Sequence, residues 1–264
     1  MTDSRTWPRW RLMFVPPRPG AENMARDVGL MDRAKETGEA VFAVYSWERP
    51  TLSLGRNQTA SGRYDLEQIR ERSIDIVRRP TGGRALLHWH EVTYSVTAPI
   101  ADADSLKRSY ERINRILLDG LSRLGVGASE SRGGAPTPSP GELPCFAAPA
   151  EGELVVDGAK LVGSAQYREA GALLQHGSIL IQDDQPMIAS LLERKSSELN
   201  PPRAATLTDA LRREPSIDEV AAALFDSVRS LEDEHATLLD DGETKVNTAR
   251  HIAEYQNELW TWRR

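Results

Sequence analysis

The spacing of apolar residues along the chain predicts strands and helices in a mixed order. Short apolar runs bounded by proline or glycine favour strands, and apolar residues three and four positions apart favour amphipathic helices. The predicted strands cover residues 10–15, 41–47, 51–54, 74–77, 86–96, 153–156, 160–167 and 172–181. The predicted helices cover residues 21–36, 65–72, 105–124, 215–234 and 244–262. Pro16 is expected to end the first strand.

Two dipeptides and one long loop organise the second half of the chain. Asp157-Gly158 and Ala170-Gly171 predict tight turns that join the last three strands into a meander. Residues 131–144 hold four of the 16 prolines and predict an irregular loop. Hairpins mixed with helices predict an α/β protein of the α+β type, with mixed, largely antiparallel sheets flanked by helices. Residues 1–184 form the main predicted domain, and residues 185–264 a mainly helical extension packed on it or belonging to it.

Composition and charge exclude several classes of protein. The 264 residues carry 33 Lys+Arg and 39 Asp+Glu, a net charge of −6, which disfavours a generic nucleic-acid binder. No apolar run approaches the roughly 18 residues of a membrane helix, and the first residues lack the apolar core of a signal peptide. The single cysteine, Cys145, excludes an intramolecular disulfide and a site of several thiolates. We therefore expect a cytoplasmic protein without a bound metal.

Two consecutive glycines lie between arginines in a segment that leaves one predicted strand and enters another. Gly82 and Gly83 allow backbone N–H groups to approach a ligand, and Arg79 and Arg84 supply charged donors. A β-turn with solvated arginines is the simpler interpretation of the glycine pair alone. The flanking arginines, with His88 four residues further on, favour a binding loop.

Cys145 and Lys160 are the candidates for covalent chemistry. Cys145 follows the proline-rich loop, where a thiol is accessible, although a single cysteine is more often a small buried side chain. Lys160 follows the Asp157-Gly158 turn, and its alternative interpretation is a solvated lysine at a strand end. Gly163 within the same strand indicates a bulge or a close backbone approach. His176 on the next strand can face the same site.

Arginine is concentrated in one part of the chain. Residues 49–84 contain eight arginines, no lysine and four acidic residues, a local charge of +4 in a protein with a net charge of −6. This excess favours docking of an acidic partner or an anionic ligand. The alternative is that folding scatters these arginines over unrelated surfaces. Arg56 and Arg63 are the first candidates for docking, and Arg79 and Arg84 are expected to brace the glycine loop.

Together these motifs resemble the biotinyl/lipoyl protein ligase superfamily, and within it the LipM-type octanoyltransferases. The segments that carry the resemblance are residues 79–95, 144–146, 158–166 and 175–178, together with residues 23–27 and 50–55. The resemblance implies a biotinyl/lipoyl protein ligase-like fold with its catalytic domain in residues 1–184. It also implies transfer of octanoyl from acyl carrier protein, through a Cys145 thioester, to a lysine of a lipoyl domain or of glycine-cleavage H protein in lipoate biosynthesis.

The resemblance also implies roles for particular residues. Cys145 and Lys160 are the expected catalytic pair. The expected substrate-binding residues are Arg79, Thr81, Gly82, Gly83, Arg84, His88, Gly163, Ser164, Gln166, Gln175 and His176. No cofactor is expected beyond the carrier protein's own phosphopantetheine, and the protein is expected to be a monomer. An apolar slot for the chain is predicted from Leu86, Leu87, Val162 and Leu174.

Departures from sister families distinguish the alternatives. ATP-dependent lipoate ligases typically carry a third glycine where Arg84 stands and an Asp-x-Gly-Asn where Trp89-His90-Glu91 stands. Such a ligase is one alternative, and a non-enzymatic acyl-protein binding factor on the same fold is another. Val28-Gly29 departs from the common Glu-Ala of the LipM type and is expected to affect helix packing rather than chemistry.

Overall fold

The computed structural model describes residues 7, 9–101, 104–133, 146, 149–193 and 203–263. The strands in these ranges are β1 (Trp10–Arg18), β2 (Ala40–Trp47), β3 (Thr51–Leu54), β4 (Asp75–Arg78), β5 (Leu86–His88), β6 (Glu91–Pro99), β7 (Ser129–Glu130), β8 (Leu154–Val156), β9 (Ala159–Glu169), β10 (Ala172–Leu180) and β11 (Thr237–Leu238). The α-helices are α1 (Gly20–Thr37), α2 (Leu66–Glu71), α3 (Leu106–Arg123), α4 (Met187–Ser190), α5 (Leu207–Leu211), α6 (Ile217–Leu231), α7 (Lys245–Tyr255) and α8 (Glu258–Thr261). A 3-10 helix (Asp241–Thr244) precedes α7.

Two sheets organise the molecule. The large sheet has the order β11-β1-β2-β6-β10-β9-β8-β7, and the small one has the order β4-β3-β5. Strand β1 runs parallel to β2 and β11. The other neighbouring pairs of the large sheet, β2-β6, β6-β10, β10-β9, β9-β8 and β8-β7, are antiparallel. In the small sheet β3 is parallel to β4 and antiparallel to β5. The predicted fold class, with mixed and largely antiparallel sheets, is confirmed.

Helices cover both faces of the large sheet because its central strands are apolar on both sides. Phe42 and Val44 of β2 pack in the cluster that contains α3 and α6. The intervening Val41, Ala43 and Tyr45 pack instead with α1. This alternation follows the two-residue period of a strand. A third cluster joins the small sheet to α2 and α4.

The hairpins predicted from their turn residues are confirmed. Asp157 and Gly158 connect β8 to β9, with φ of 49° and 79°. Ala170 and Gly171 connect β9 to β10, with φ of 39° and 85°. Positive φ at both central positions is the conformation that matches the twist of a two-residue hairpin.

Three details of the predicted elements are wrong. Strand β1 does not end at Pro16. Its register to β2 shifts between Val15 and Arg18, and this irregularity accommodates Pro16 and Pro17, which have no N–H to donate. The extended segment 86–96 divides at Trp89-His90, where the chain passes from the small sheet to the large one. The last predicted helix breaks before Asn257, whose side chain caps α8 by accepting from the Leu259 N–H.

The C-terminal elements pack against the N-terminal ones. Strand β11 pairs with β1, and α7 packs on α1. Gly29 permits this helix contact, since a Cβ there would lie 2.8 Å from the Asn247 backbone. The expectation that Gly29 serves helix packing is thus confirmed, and the boundary at residue 184 stays a prediction. Among the helices described here, none has the length and apolarity to cross a membrane.

Arg78 joins the C-terminus to the loop that follows β3. Its side chain is 0% exposed and donates to the carbonyl oxygens of Gly55 at 2.6 Å, Gln58 at 2.8 Å and Thr261 at 2.8 Å. Arg78→Met removes these donors and leaves buried carbonyls unpaired, so we expect it to lower the free energy of unfolding by about 2–4 kcal/mol. Urea unfolding measures the loss. Arg72→Met, at an exposed arginine, is the control, and equal effects of the two variants would contradict this role.

Candidate active site

A cavity of about 730 Å³ opens between the loop after β4 and strands β9 and β10. Such a volume falls within the usual range for small-molecule sites. Nine of the predicted site residues line this cavity: Arg79, Gly82, Gly83, Arg84, His88, Lys160, Gly163, Ser164 and His176. They come from four parts of the chain, and the sheets bring them together.

Lys160 is a buried cation at the wall of the cavity. Its side chain is 1% exposed, and its Nζ donates to Glu153 Oε1 at 2.6 Å. The other oxygen of Glu153 accepts from the Ala150 N–H at 2.7 Å, which fixes the carboxylate. The alternative interpretation of Lys160, a solvated strand-end lysine, is therefore wrong. A buried ammonium held by a carboxylate is instead suited to act on a group in the cavity.

Cys145 lies outside the residues that the structure describes, so its catalytic role stays a prediction. The residue after it, Phe146, is buried. Lys160 Nζ lies 4.9 Å from the centre of the Phe146 ring, and Phe146 also packs with Leu86. Its ring further limits the space at Gly163, where a Cβ would lie 3.1 Å from Phe146 Cζ. The close approach predicted from Gly163 is confirmed.

The glycine loop is braced by Arg79, as expected. Its guanidinium donates to the carbonyl oxygens of Gly82 at 2.8 Å and Arg84 at 2.7 Å. Gly83 has φ of +95°, a conformation that side chains rarely adopt. A Cβ at Gly55 would lie 2.0 Å from the Gly83 carbonyl oxygen, so the two segments cross with no room for a larger residue.

Two buried histidines lie in separate hydrogen-bond chains beneath the cavity. His176 contacts Asp27 and Thr81, each at 2.7 Å. His88 Nδ1 lies 2.7 Å from Glu91 Oε1, and its Nε2 lies 2.8 Å from Ser53 Oγ. Because a carboxylate only accepts, Nδ1 of each ring carries the proton in these contacts.

His88 is held in its neutral form. Burial lowers the pKa of His88 from its usual 6.5, although Glu91 opposes this shift. Ser53 Oγ accepts from Arg79 at 3.0 Å, so its own proton is directed at His88 Nε2, which accepts it only when the ring is neutral. The folded protein therefore binds a proton at this ring less readily than the unfolded chain does.

We expect the stability of the protein to fall as pH drops below about 6.5. There the unfolded chain protonates His88 before the folded protein does, which costs at most about 1.4 kcal/mol per pH unit for one proton. His88→Asn should flatten the dependence of the free energy of unfolding on pH between about 5.5 and 6.5. The exposed His235 provides the control variant His235→Asn. An unchanged slope in His88→Asn would contradict the assignment.

Three other predicted site residues do not line the cavity. Thr81 is 0% exposed and connects to the cavity through its contact with His176, which lines it. Gln175 donates to the Tyr94 hydroxyl at 2.9 Å, and that hydroxyl contacts Ser164 Oγ at 2.7 Å. Gln166 in turn contacts the Gln175 amide. Burial raises the pKa of Tyr94 to about 12, so its hydroxyl remains a donor in this chain. These residues support the cavity wall rather than contact its contents.

The predicted apolar slot is mostly wrong. Leu86 lines the cavity, whereas Leu87, Val162 and Leu174 pack in three different hydrophobic clusters. Among the described residues, Met24, Tyr45 and Trp47 are the large apolar side chains that line the cavity besides Leu86. Met24 lies in α1, and Tyr45 and Trp47 lie in β2. The alternation of apolar residues along a strand does not show which strands face the cavity, so these residues could not be predicted from it.

The arginines of residues 49–84 have different environments. Arg78 and Arg79 are buried and hold loops, which removes them from any docking surface. The guanidinium of Arg56 lies 4.7 Å from the centre of the Tyr167 ring and is half-buried. Arg63 is also half-buried, whereas Arg49, Arg70 and Arg72 are exposed.

Sequence reasoning missed three acidic residues of the site. Asp27 and Glu91 each hold a histidine, and Glu153 holds Lys160. Glu153 was the most accessible to prediction, since the Asp157-Gly158 turn sets Val155 opposite Lys160 and brings Glu153 close to it. No group of three or more histidine, cysteine or acidic side chains that could hold a metal occurs in the described part of the chain.

Comparison with known proteins identifies the family. A model of the lipoyl protein ligase A/B catalytic domain matches residues 19–229. The chain belongs to this family. Octanoyltransferase LipM of Carboxydothermus hydrogenoformans is 38% identical over 227 residues, covering 82% of this chain and 84% of that protein. Octanoyltransferase LipM of Geobacillus kaustophilus is 34% identical over 275 residues, covering 97% of this chain and 98% of that protein.

Solved structures of the family share the fold. Lipoate-protein ligase A bound with ATP superposes with a TM-score of 0.78 at 22% identity, covering 96% of this chain and 98% of that one. A structure of a bi-partite lipoate protein ligase and its E2 lipoyl domain from Thermoplasma acidophilum gives a TM-score of 0.76 at 21% identity, covering 96% of each chain. The predicted ligase-like fold is confirmed by these structures, and the predicted acyltransferase class, with octanoyl transfer in lipoate biosynthesis, by the LipM relatives.

Proposed function

We propose that this family member moves an octanoyl group from acyl carrier protein to a lysine of an acceptor protein through a thioester on Cys145. The observation that carries the proposal is the buried Lys160 ammonium, held by Glu153 at the wall of the cavity. A thiol is only a few per cent thiolate at pH 7, and a nearby ammonium favours the thiolate. The Lys160 ammonium thus favours the Cys145 thiolate, which is the nucleophile for thioester exchange.

In the first half-reaction the Cys145 thiolate attacks the octanoyl thioester carbonyl. A new sulfur–carbon bond forms, the bond to the phosphopantetheine sulfur breaks, and the departing thiolate takes a proton from the Lys160 ammonium. One thioester replaces another, so the step is nearly neutral in energy. Lys160 is left neutral beside the acyl-enzyme, with its amino group still held by Glu153.

In the second half-reaction the acceptor lysine attacks the Cys145 thioester as a free amine. The carbon–nitrogen bond forms, the sulfur–carbon bond breaks, and neutral Lys160 accepts the proton that the amine loses. The Cys145 thiolate and the Lys160 ammonium are then restored. The amide is far more stable than the thioester, which drives transfer forward. The cycle balances without a metal or a resident cofactor.

Lipoyl domains are the proposed acceptors. The Thermoplasma ligase structure pairs a protein of this fold with an E2 lipoyl domain, which supports acceptors of that kind. Glycine-cleavage H protein is the alternative acceptor. Acyl carrier protein is the proposed donor, and the reaction is proposed to take place in the cytoplasm.

The experiment supplies the purified protein with octanoyl-acyl carrier protein and a lipoyl domain, without ATP and with a chelator. We expect octanoyl-lipoyl domain as the product, detected by intact mass. A ligase would instead require octanoate, ATP and Mg²⁺, and would work without the carrier protein. A binding factor would form complexes with the lipoyl domain and leave both proteins unmodified. Either of the last two results would contradict the proposal.

Charge reversal at the arginine-rich segment should weaken recognition of protein substrates. We expect Arg63→Glu to raise KM for carrier protein or lipoyl domain by about 3- to 10-fold with a smaller change in kcat, because acidic partners are steered by charge. Arg56→Glu should do the same and also disturb the contact with Tyr167. Arg123→Glu on α3 is the control. A KM that does not change with ionic strength would contradict a docking role.

A further inference from the structure

A buried chain of three side chains ends at the glycine loop of the cavity. Asp27 of α1 contacts His176 of β10, and His176 contacts Thr81, the residue directly before Gly82. We propose that Asp27, His176 and Thr81 form a positioning relay that holds the Gly82–Gly83 backbone against the oxyanion of the reacting thioester. The inference rests on the proposed function and adds these three residues as positioning residues of that reaction.

The hydrogen-bond directions in the chain are determined by its first member. Asp27 Oδ2 accepts from the Tyr45 hydroxyl at 3.0 Å and from His176 Nδ1 at 2.7 Å. Burial, together with the Asp27 carboxylate, raises the pKa of Tyr45 well above its usual value, so the phenol stays a donor. His176 Nε2 lies 2.7 Å from the Thr81 hydroxyl, so a hydrogen bond joins the two side chains. The Thr81 side chain is therefore held in one orientation.

The burial of Asp27 is costly for a purely structural residue. Asp27 and Thr81 are 0% exposed and His176 is 5% exposed. The second carboxyl oxygen of Asp27, Oδ1, is buried and accepts no hydrogen bond from the described residues. A buried carboxylate that lacks a partner at one oxygen is destabilising, and such groups concentrate where a protein must orient another group. The relay gives this carboxylate a role that packing does not.

Thr81 and Arg79 leave the glycine N–H groups unused. Arg79 fixes the carbonyl oxygen of Gly82, and the Thr81 carbonyl accepts from the Arg56 N–H at 2.8 Å. Within the described ranges, the N–H groups of Gly82 and Gly83 donate to no other residue. Both glycines line the cavity, as Lys160 does. Backbone donors that no described residue uses, on a loop whose carbonyls and neighbouring side chains are held in place, are suited to stabilise a tetrahedral oxyanion.

An oxyanion forms in both half-reactions, so loss of the relay should slow both of them alike. We expect Thr81→Val and Asp27→Asn to lower the single-turnover rates of Cys145 acylation and of transfer to the lipoyl domain by the same factor, about 10- to 100-fold. KM for either protein substrate should change little. Thr81→Ser keeps the hydroxyl and should retain most of the rate.

Thr97→Val is the matched control for Thr81→Val. Thr97 is also 0% exposed, and its hydroxyl lies on β6 without a partner among the described side chains and backbone groups. It should retain the wild-type rates. Thermal unfolding of every variant separates loss of the fold from loss of rate. If Asp27→Asn does not fold, the single-turnover rates of Thr81→Val alone test the relay.

Wild-type rates in folded Thr81→Val, or slowing of only one half-reaction, would overturn the relay while leaving the proposed function intact. Equal slowing in Thr81→Val and Thr81→Ser would also overturn it, because the hydroxyl would then be irrelevant. Absence of an octanoyl adduct on the wild-type protein would instead contradict the proposed function itself.

Discussion

Cys145→Ala should abolish octanoyl transfer, with a loss of at least about 10⁴-fold, because alanine offers no nucleophile to form the acyl-enzyme. Steady-state transfer from octanoyl-acyl carrier protein to a lipoyl domain measures the effect. The fold should persist, since the substitution removes only one small sulfur-bearing group. Thermal unfolding of the variant checks this point. Near-normal turnover by Cys145→Ala would contradict the covalent mechanism.

Lys160→Ala should have the second largest effect, and Lys160→Arg should separate its two roles. In Lys160→Ala both half-reactions lose their proton carrier, and we expect turnover to fall by about 10²- to 10⁴-fold. Arginine keeps a positive charge beside Glu153 but stays protonated at any working pH. Lys160→Arg should therefore retain part of the reactivity of the Cys145 thiolate and fail to pass the chain to the acceptor.

The pH dependence of Cys145 alkylation provides the measurement for Lys160. In the wild-type protein a small neutral alkylating reagent should titrate Cys145 below the usual thiol pKa of about 8.5. Lys160→Ala should move this titration upward, by about 1–3 pH units if the ammonium lies within 4–6 Å of the sulfur. One shared alkylation profile and one shared turnover rate for the wild type, Lys160→Ala and Lys160→Arg would remove Lys160 from the site.

Local signals predicted the elements that depend on neighbouring residues. The Asp157-Gly158 turn and the short helix predicted over residues 65–72 depend on residues a few positions apart, and both are confirmed. Strand β11 has two residues and owes its existence to pairing with β1 across the chain. Neither its length nor its composition predicts that pairing. The continuation of β1 through Pro16 likewise depends on its register to β2.

The site could be predicted as far as its motifs extend. The glycine loop and Lys160 were recognisable because charged and glycine residues cluster within short segments. Asp27 and His176 are 149 positions apart, and only the packing of α1 against β10 brings them into contact. The sequence likewise indicates an arginine-rich segment without showing that Arg78 is fully buried. The roles of Asp27, His176 and Arg78 depend on contacts between residues far apart in the chain, and residue spacing does not predict such contacts.

The most direct test of the account is the intact mass of the protein after incubation with octanoyl-acyl carrier protein in the absence of an acceptor. Transfer through Cys145 predicts a gain of one octanoyl group, mapped by proteolysis to the peptide that contains Cys145 and absent from Cys145→Ala. Addition of a lipoyl domain should then remove the adduct and place octanoyl on the acceptor lysine. An unmodified wild-type protein that still turns over, or an adduct at another residue, would contradict transfer through Cys145.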